Sequence, residues 1–138
     1  MTVDADRFGT DLLVPLDEDE TLRVTPTGDL DLITGRDNLA RALGACALTS
    51  TGSLVHRPTY GGGLADDVES AATPGNLSRA SNRLRAALLE DPRLAGGTLD
   101  VTVAPGTPTD PRALGHITAT IRAGLYGDPA PVVVTVTE

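Results

Sequence analysis

Residues 73–103 read TPGNLSRASNRLRAALLEDPRLAGGTLDVTV, and this stretch changes from a helical to an extended pattern. Apolar side chains recur at helical spacing at Leu77, Ala80, Leu84 and Leu88. Thr73-Pro74 is a typical N-cap and first helical residue, and Pro92 cannot continue a helix. The pattern therefore predicts a helix from Pro74 to about Glu90, followed by a strand.

Strands dominate the last third of the chain. Apolar residues alternate with polar ones over 98–103 and again over 116–122, which places His116 on the polar side. The two segments are joined by a Pro, Gly and Asp-rich loop at 105–115, and a further β-prone run follows Pro131. We expect half-buried, mostly antiparallel strands.

The first half of the chain predicts a hairpin and a helix. Segments 22–25 and 30–33 flank the turn sequence Pro26-Thr27-Gly28-Asp29, whereas Pro15 limits residues 12–16 to an edge strand or an extended arm. Helical spacing from Asp37, the predicted N-cap, to Leu48 places Cys46 on a buried stripe. A short helix is expected from Leu64 to about residues 70–72.

The predicted fold class is therefore α+β, with a small, mostly antiparallel sheet packed against two main helices and one short helix. We expect a single domain over residues 1–138. Its N-terminal arm, about residues 1–11, is expected to be flexible, and its C-terminal strand spans about residues 131–137.

Composition narrows the function classes. The 138 residues carry 11 Arg and no Lys against 19 Asp and Glu, a formal net charge of −8, and this argues against direct nucleic-acid binding. No apolar run approaches the length that a membrane span needs, so no membrane insertion is expected. With one cysteine, no intramolecular disulfide can form. Because only Phe8, Tyr60 and Tyr126 are aromatic, the core is thin, and burial against partners is a plausible compensation.

Two motifs suggest ligand sites, but their chemistry does not fit. The glycine-rich segment 57–63 lacks the pattern and the lysine of a phosphate-binding loop. We expect its glycines to allow a close backbone approach, with Tyr60 filling the gap. The acidic run 17–20 lacks the ligand spacing of a calcium loop and is interpreted as a solvated loop.

Catalytic patterns are missing as well. The sequence has neither GxSxG nor HExxH, and neither His56 nor His116 has a neighbouring residue that would orient it. A glycosidase-like pair among the nineteen carboxylates stays open. No catalytic, cofactor-binding or metal-binding residue is predicted, and no cofactor is expected.

One ordered set of residues carries a family resemblance. A helix ending Leu48-Thr49 is followed by Gly52, Arg57-Pro58 and Tyr60-Gly61, and the second helix ends with Pro92-Arg93. This order resembles the baseplate wedge, or sheath-initiator, family of contractile-tailed phages, whose relatives serve type VI secretion and extracellular contractile injection systems. Ser53 stands where that family commonly has Glu, and Asp91 replaces the Glu of its E-P-R motif.

The resemblance implies a structural, non-enzymatic role. The protein would join wedge subunits around the tube and provide the platform for the first sheath ring, with six copies in a sixfold assembly. Its partners would be other wedge proteins, the sheath protein and, as further candidates, tube or hub proteins. It would reside in a virion tail baseplate, or in the cytoplasm of the producing cell as part of an injection particle. The residues expected to bind partners are Thr49, Gly52, Arg57, Pro58, Tyr60, Gly61, Asp91, Pro92, Arg93, Val132, Val133, Val134, Thr135 and Val136.

The last five of these residues have a physical argument of their own. Residues 132–136 form an uncharged terminal strand whose backbone could extend a partner's sheet, as in the strand exchange thought to join the sheath to this family. The alternative is that the strand pairs only within its own chain.

Two other functions stay open. Members of the resembled family have carried a lysozyme-like label, so the chain could be a peptidoglycan-cleaving muramidase that uses Glu69 or Glu90. It could also be a small adaptor unrelated to tails, in which case its gene would lie apart from sheath, tube and spike genes.

Overall fold

The computed structural model describes residues 7–14, 22–68, 72–106 and 116–137. Within those ranges it is an α+β protein, as predicted. The strands are β1 (Thr10–Leu12), β2 (Leu32–Thr34), β3 (Thr98–Pro105), β4 (Ile117–Gly124) and β5 (Val132–Thr137). The helices are α1 (Gly35–Leu48) and α2 (Pro74–Leu88), with 3-10 turns at Ala65–Asp67 and Pro92–Leu94.

The larger sheet is antiparallel with strand order β3-β4-β5. Val101, Ile121 and Val134 lie opposite one another across the three strands. Alternate residues face the helices, so one face of the sheet is buried and the other is exposed and rich in threonine, with Asp100, Arg122 and Val133 among its side chains. Helix α1 packs against β5 and helix α2 packs against β3. The core lies between this helical layer and the sheet.

Helix α1 begins earlier than predicted. Its N-cap is Thr34, so the predicted N-cap at Asp37 is wrong, and Asp37 lies in the first turn. Strand β2 runs directly into the helix because Gly35, at φ +64°, makes the sharp change of direction that other residues rarely adopt. The buried position of Cys46 is confirmed, at 5% exposure.

Helix α2 begins as predicted. The Thr73 hydroxyl accepts a hydrogen bond from the Asn76 backbone N–H at 3.3 Å, and Pro74 opens the first turn. The helix ends at Leu88 rather than near Glu90, because Asp91 caps the separate 3-10 turn that follows. The predicted short helix is a 3-10 turn, and its expected end lies partly outside the described residues.

A smaller sheet forms at the N-terminal end. Strand β1 pairs antiparallel with β2, and Val24 bridges Leu30 within the predicted hairpin. Phe8, from the segment expected to be an arm, is 2% exposed and belongs to the core. Of the predicted extended segment 12–16, only residues 12–14 are described, and the acidic run 17–20 and most of loop 105–115 lie outside the described ranges. No helix in the described residues is long and apolar enough to span a membrane.

Candidate partner-binding site

Five of the residues expected to bind partners meet at one pocket between α1 and the end of α2. The pocket has a volume of about 270 Å³. Its floor is apolar, and its rim carries the charged residues. The lining residues are Ala42, Leu43, Cys46, Arg57, Tyr60, Ala87, Leu88, Glu90, Asp91, Pro92 and Arg93.

The glycine loop is held against the end of α1 by backbone hydrogen bonds. The Gly62 N–H donates to the Cys46 carbonyl at 2.7 Å, and the Gly63 N–H donates to the Thr49 carbonyl at 2.9 Å. Gly61 has φ +118°, and a side chain there would collide with the Thr49 carbonyl. The expectation that glycine permits a close backbone approach is therefore confirmed. Thr49 and Gly61 therefore fix the conformation of the loop through their backbone contacts.

Arg83 is a site residue that the sequence did not reveal. Its Nε donates to the Gly62 carbonyl at 2.9 Å, its Nη2 donates to the Gly63 carbonyl at 2.8 Å, and it pairs with Asp67. Arg83 lies on the polar side of α2, where the glycine loop packs over it. The hydroxyl of Thr51 also donates to the Gly61 carbonyl at 3.0 Å.

Arg57 and Tyr60 form the outer wall of the pocket. The Arg57 guanidinium lies 4.9 Å from the centre of the Tyr60 ring, a cation–π contact. Tyr60 is half-buried and packs against the core, whereas Arg57 is exposed. Among the described residues, the Arg57 guanidinium has no hydrogen-bond partner. Pro58 and Gly52 are exposed on the same loop, where Gly52 adopts φ +85° in a turn.

Asp91 and Arg93 are tied to each other. The Arg93 guanidinium donates to both Asp91 carboxylate oxygens, from Nη2 at 2.6 Å and from Nε at 2.9 Å. The Arg93 backbone N–H donates to the same carboxylate at 2.9 Å, and Nη1 reaches the Phe8 carbonyl at 3.4 Å. Burial raises the pKa of Asp91, but the hydrogen bonds and charge of Arg93 outweigh it and hold the pKa below its ordinary value. The pair therefore stabilises the turn after α2 and links it to the N-terminal segment.

The Cys46 thiol faces Tyr60 at the floor of the pocket. Burial raises the pKa of Cys46, and the hydrogen bond with Tyr60 offsets only part of that shift. Burial also raises the pKa of Tyr60. Because the thiol rather than the thiolate is favoured, Cys46 has the properties of a structural cysteine. Within the described ranges, no group of three or more His, Cys, Asp and Glu side chains could hold a metal ion.

The remaining five predicted residues lie apart from the pocket, in β5. Backbone groups along an antiparallel strand point alternately toward and away from the neighbouring strand. The Gly106 N–H donates to the His116 carbonyl at 2.8 Å, so the backbone groups of His116 point toward Gly106, and those of every second residue along β4 point the same way, toward β3. The residues of β4 between them point toward β5, and their partners in the register are Val132, Val134 and Val136, whose backbone groups therefore point toward β4.

The groups of Val133, Thr135 and Thr137 point to the outer edge of β5. They have no hydrogen-bond partner in the part of the chain that the structure describes. Strand β5 therefore pairs with β4 along one side, and no described residue pairs with its other side.

Comparisons with known proteins identify the fold. No family profile matches the sequence, and no curated protein matches it. A chain of the anti-feeding prophage baseplate, solved by electron cryo-microscopy with sixfold symmetry, has a TM-score of 0.63 at 24% identity, covering 88% of both chains. A proposed tail lysozyme from Geobacter sulfurreducens has a TM-score of 0.54 at 25% identity, covering 73% of this chain and 86% of that one. The predicted resemblance is thus confirmed in three dimensions: the chain has the fold of a contractile-injection baseplate protein.

Proposed function

We propose that this protein is a structural component of a contractile tail or injection-system baseplate. In this role it joins wedge subunits around the tube, in six copies, and supports the first sheath ring. The observation that carries the proposal is the open outer edge of β5, in a fold shared with a baseplate protein.

The open edge suits the addition of a partner strand. Val133, Thr135 and Thr137 present their backbone groups outward, and β5 carries no charged side chain that would discourage pairing. A strand supplied by the sheath protein would extend the three-stranded sheet through backbone hydrogen bonds. Val132 and Val136 would act indirectly, because their buried side chains hold β5 in register on the core.

The pocket supplies the proposed contact with neighbouring wedge proteins. Arg57 offers an exposed guanidinium without a hydrogen-bond partner in the described residues, above an apolar floor. An apolar side chain of a wedge helix, followed by a carboxylate, would fill the pocket and pair with Arg57. In this arrangement Asp91 and Arg93 fix the shape of the rim, while Tyr60, Pro92 and Pro58 provide contact surface.

Thr135→Pro tests the role of the β5 edge. Proline removes an N–H that points outward and leaves the ladder with β4 complete. The variant is introduced into the particle-producing system, and intact sheathed particles are counted by electron microscopy. We expect loss of sheathed particles, whereas the isolated variant keeps its circular dichroism spectrum and a melting temperature within about 5 °C of the wild type.

Thr135→Val is the matched control, because it changes the same side chain and keeps the outward N–H. It should assemble normally. Normal assembly of Thr135→Pro would refute the role of this edge. Loss of assembly in both variants would assign the effect to the side chain instead of the backbone.

A muramidase is the second candidate, favoured by the similarity to a proposed tail lysozyme. A retaining or inverting glycosidase needs one carboxyl with a raised pKa. Asp91 has a lowered pKa and is bound by Arg93, which argues against it as that acid. Glu90 lies at the pocket rim, and Glu69 lies outside the described residues. Clearing of cell-wall substrate in a zymogram, lost on Glu90→Gln or Glu69→Gln, would establish the enzyme and refute the purely structural role.

A further inference from the structure

The rim of the pocket carries two arginines and two carboxylates, and only one of each is used within the described residues. Asp91 and Arg93 form the ion pair described above. Arg57 and Glu90 are both exposed. Neither makes an ion pair or a side-chain hydrogen bond with any residue that the structure describes. Within those residues, the rim therefore presents one cation and one carboxylate that lack a hydrogen-bonded counter-ion.

Both of these charges act on the pocket. Burial is the main cause of the raised pKa of Cys46, and the charges of Asp91 and Glu90 raise it further. Burial raises the pKa of Asp91, the hydrogen bonds and charge of Arg93 lower it more, and the charge of Arg57 also lowers it. Because electrostatic effects decline with distance, Glu90 and Arg57 both lie close to the pocket opening.

An exposed leucine lies next to the pocket at the end of α2. Leu89 stands in the sequence between Leu88 and Glu90, both of which line the pocket. Leu88 is 1% exposed and belongs to the core, whereas Leu89 is 55% exposed. Neighbouring residues on a helix do not share a face, so Leu89 points away from the floor that Leu88 forms. A projecting apolar side chain and an apolar pocket therefore lie side by side.

The chain itself carries the groups that would fill this pocket. A cavity of about 150 Å³ holds a benzene molecule, so a pocket of about 270 Å³ has room for a leucine side chain. Arg57 would pair with a carboxylate beside that leucine, and Leu89 is followed directly by Glu90. In a two-fold contact the same patch meets itself, so each copy supplies what the other lacks.

We propose that two copies of this protein form a two-fold dimer in which Leu89 of each copy enters the pocket of the other and Glu90 of each copy pairs with Arg57 of the other. The net charge of −8 on each copy opposes their approach, but salt screens this long-range repulsion more than the close ion pairs. The contact is small, so the dimer is expected to be weak and to dissociate on dilution.

The dimer would also affect assembly. It fills the pocket that the proposed function assigns to neighbouring wedge proteins, so only the monomer would be free to bind them. This consequence depends on the proposed function, whereas the dimer itself depends only on the pocket, the exposed leucine and the two charges.

Charge exchange tests the ion pairs on the full-length protein, by sedimentation equilibrium at about 150 mM salt. We expect Arg57→Glu or Glu90→Arg alone to weaken dimerisation at least about tenfold, because each brings like charges into contact twice. An equimolar mixture of the two single variants should dimerise, since both of its contacts join opposite charges. The control Arg79→Glu makes the same charge change on an exposed residue about three helical turns before Glu90, and it should leave the dissociation constant within about twofold of the wild type.

Leu89→Ser tests the apolar part of the contact and should weaken dimerisation at least about tenfold. The matched control is Leu32→Ser in the smaller sheet, where the exposure of Leu32 is 57%, and it should change the dissociation constant by less than about twofold. Alkylation of Cys46 should become slower as the protein concentration rises, because the dimer fills the pocket in which this thiol lies.

Three results would overturn the proposal. One is a wild-type protein that stays monomeric up to about 1 mM, and a second is a mixture of the two charge variants that does not dimerise. The third is a dimer that survives Leu89→Ser and leaves the alkylation rate of Cys46 independent of concentration, which would place the contact elsewhere. If Arg57→Glu does not fold, Leu89→Ser and Leu32→Ser decide the question. None of these results tests the baseplate role, which particle assembly measures separately.

Discussion

The two edges of the three-stranded sheet differ in one hydrogen bond to a neighbouring helix. At the β3 edge, helix α2 lies alongside, and the Ser81 hydroxyl donates to the Val101 carbonyl at 2.6 Å. At the β5 edge, Val133, Thr135 and Thr137 direct their backbone groups outward with no such cover from the described residues. The comparison teaches that a helix side chain can occupy an outward carbonyl of an edge strand, as at Val101, and that within the described residues β5 has no such bond.

The same contrast recurs at the pocket, between its two arginines. Arg93 is bound by Asp91 and by the Phe8 carbonyl, so its guanidinium serves the fold. Arg57 stacks on Tyr60, and its hydrogen-bond donors have no partner in the part of the chain that the structure describes. One arginine of the pocket therefore uses its hydrogen-bond donors within the protein and the other does not within the described residues. Substitution of each arginine can distinguish these two roles.

The largest effect is expected in β5 itself. Val134→Pro removes an N–H that donates to β4 and should lower the free energy of unfolding by about 3 kcal/mol. Thr135→Pro removes an outward N–H and should cost less than about 1 kcal/mol. Urea unfolding followed by circular dichroism measures both. Equal losses would show that the assigned alternation of inward and outward groups is wrong.

Arg93→Ala should have the next largest effect. It leaves the Asp91 carboxylate and the Phe8 carbonyl without their guanidinium partner, and we expect a loss of about 1–2 kcal/mol, reduced from the full value by solvent screening. Arg57→Ala, the matched control, should cost less than about 1 kcal/mol. Thermal unfolding of both variants tests this ranking. A larger loss for Arg57→Ala would contradict the division of roles.

Ser81→Ala tests the side-chain bond to the β3 edge. The Val101 carbonyl would lose its side-chain donor, and the expected loss is about 1 kcal/mol, because nearby water replaces part of the bond. Ser78→Ala lies one helical turn away without a hydrogen bond to β3 and should change stability by less than about 0.5 kcal/mol. Chemical denaturation measures the free energy of unfolding of the two variants. Identical curves for wild type and Ser81→Ala would show that this bond contributes no stability.

The smallest effect concerns the pH dependence at Asp91. The folded protein lowers the pKa of this carboxyl, so its stabilising contribution is present above the unfolded value near 3.8 and is lost as pH falls through the lower, folded pKa. Asp91→Asn should therefore cost less than about 1 kcal/mol at neutral pH, and its deficit should shrink on acidification. Melting temperatures of wild type and variant between about pH 7 and pH 2 measure this. A deficit that stays constant with pH would contradict the ion-pair origin.

Periodicity and capping predicted most of the elements correctly. The alternation in β3 and β4, and the Thr73-Pro74 start of α2, are local properties, and they agree with the structure. The start of α1 was missed because it depends on a long-range pairing. Strand β2 pairs with β1 and continues into the helix at Gly35, and Asp37 gives no sign of that.

At the site, the sequence predicted residues but not their partners. The ordered motif named Arg57, Tyr60 and Arg93 as partner-binding residues, and the structure shows that all three line one pocket, which the sequence did not predict. Arg83 was missed because its partners are backbone carbonyls of a loop about twenty residues away in the sequence, and no local pattern encodes them. The bond from Ser81 to the Val101 carbonyl likewise becomes visible only after α2 is placed against β3.

Because Cys46 lies in the pocket, the rate of its reaction with a thiol reagent can report on the pocket. It is the only cysteine, and it lies behind the Tyr60 ring at 5% exposure. A maleimide or iodoacetamide reagent reaches the sulfur through the pocket, where 5% exposure of Cys46 makes the reaction of the native protein slow. The labelling rate of the native protein therefore measures access to the pocket floor, and a bound neighbour that fills the pocket would slow labelling without any engineered probe.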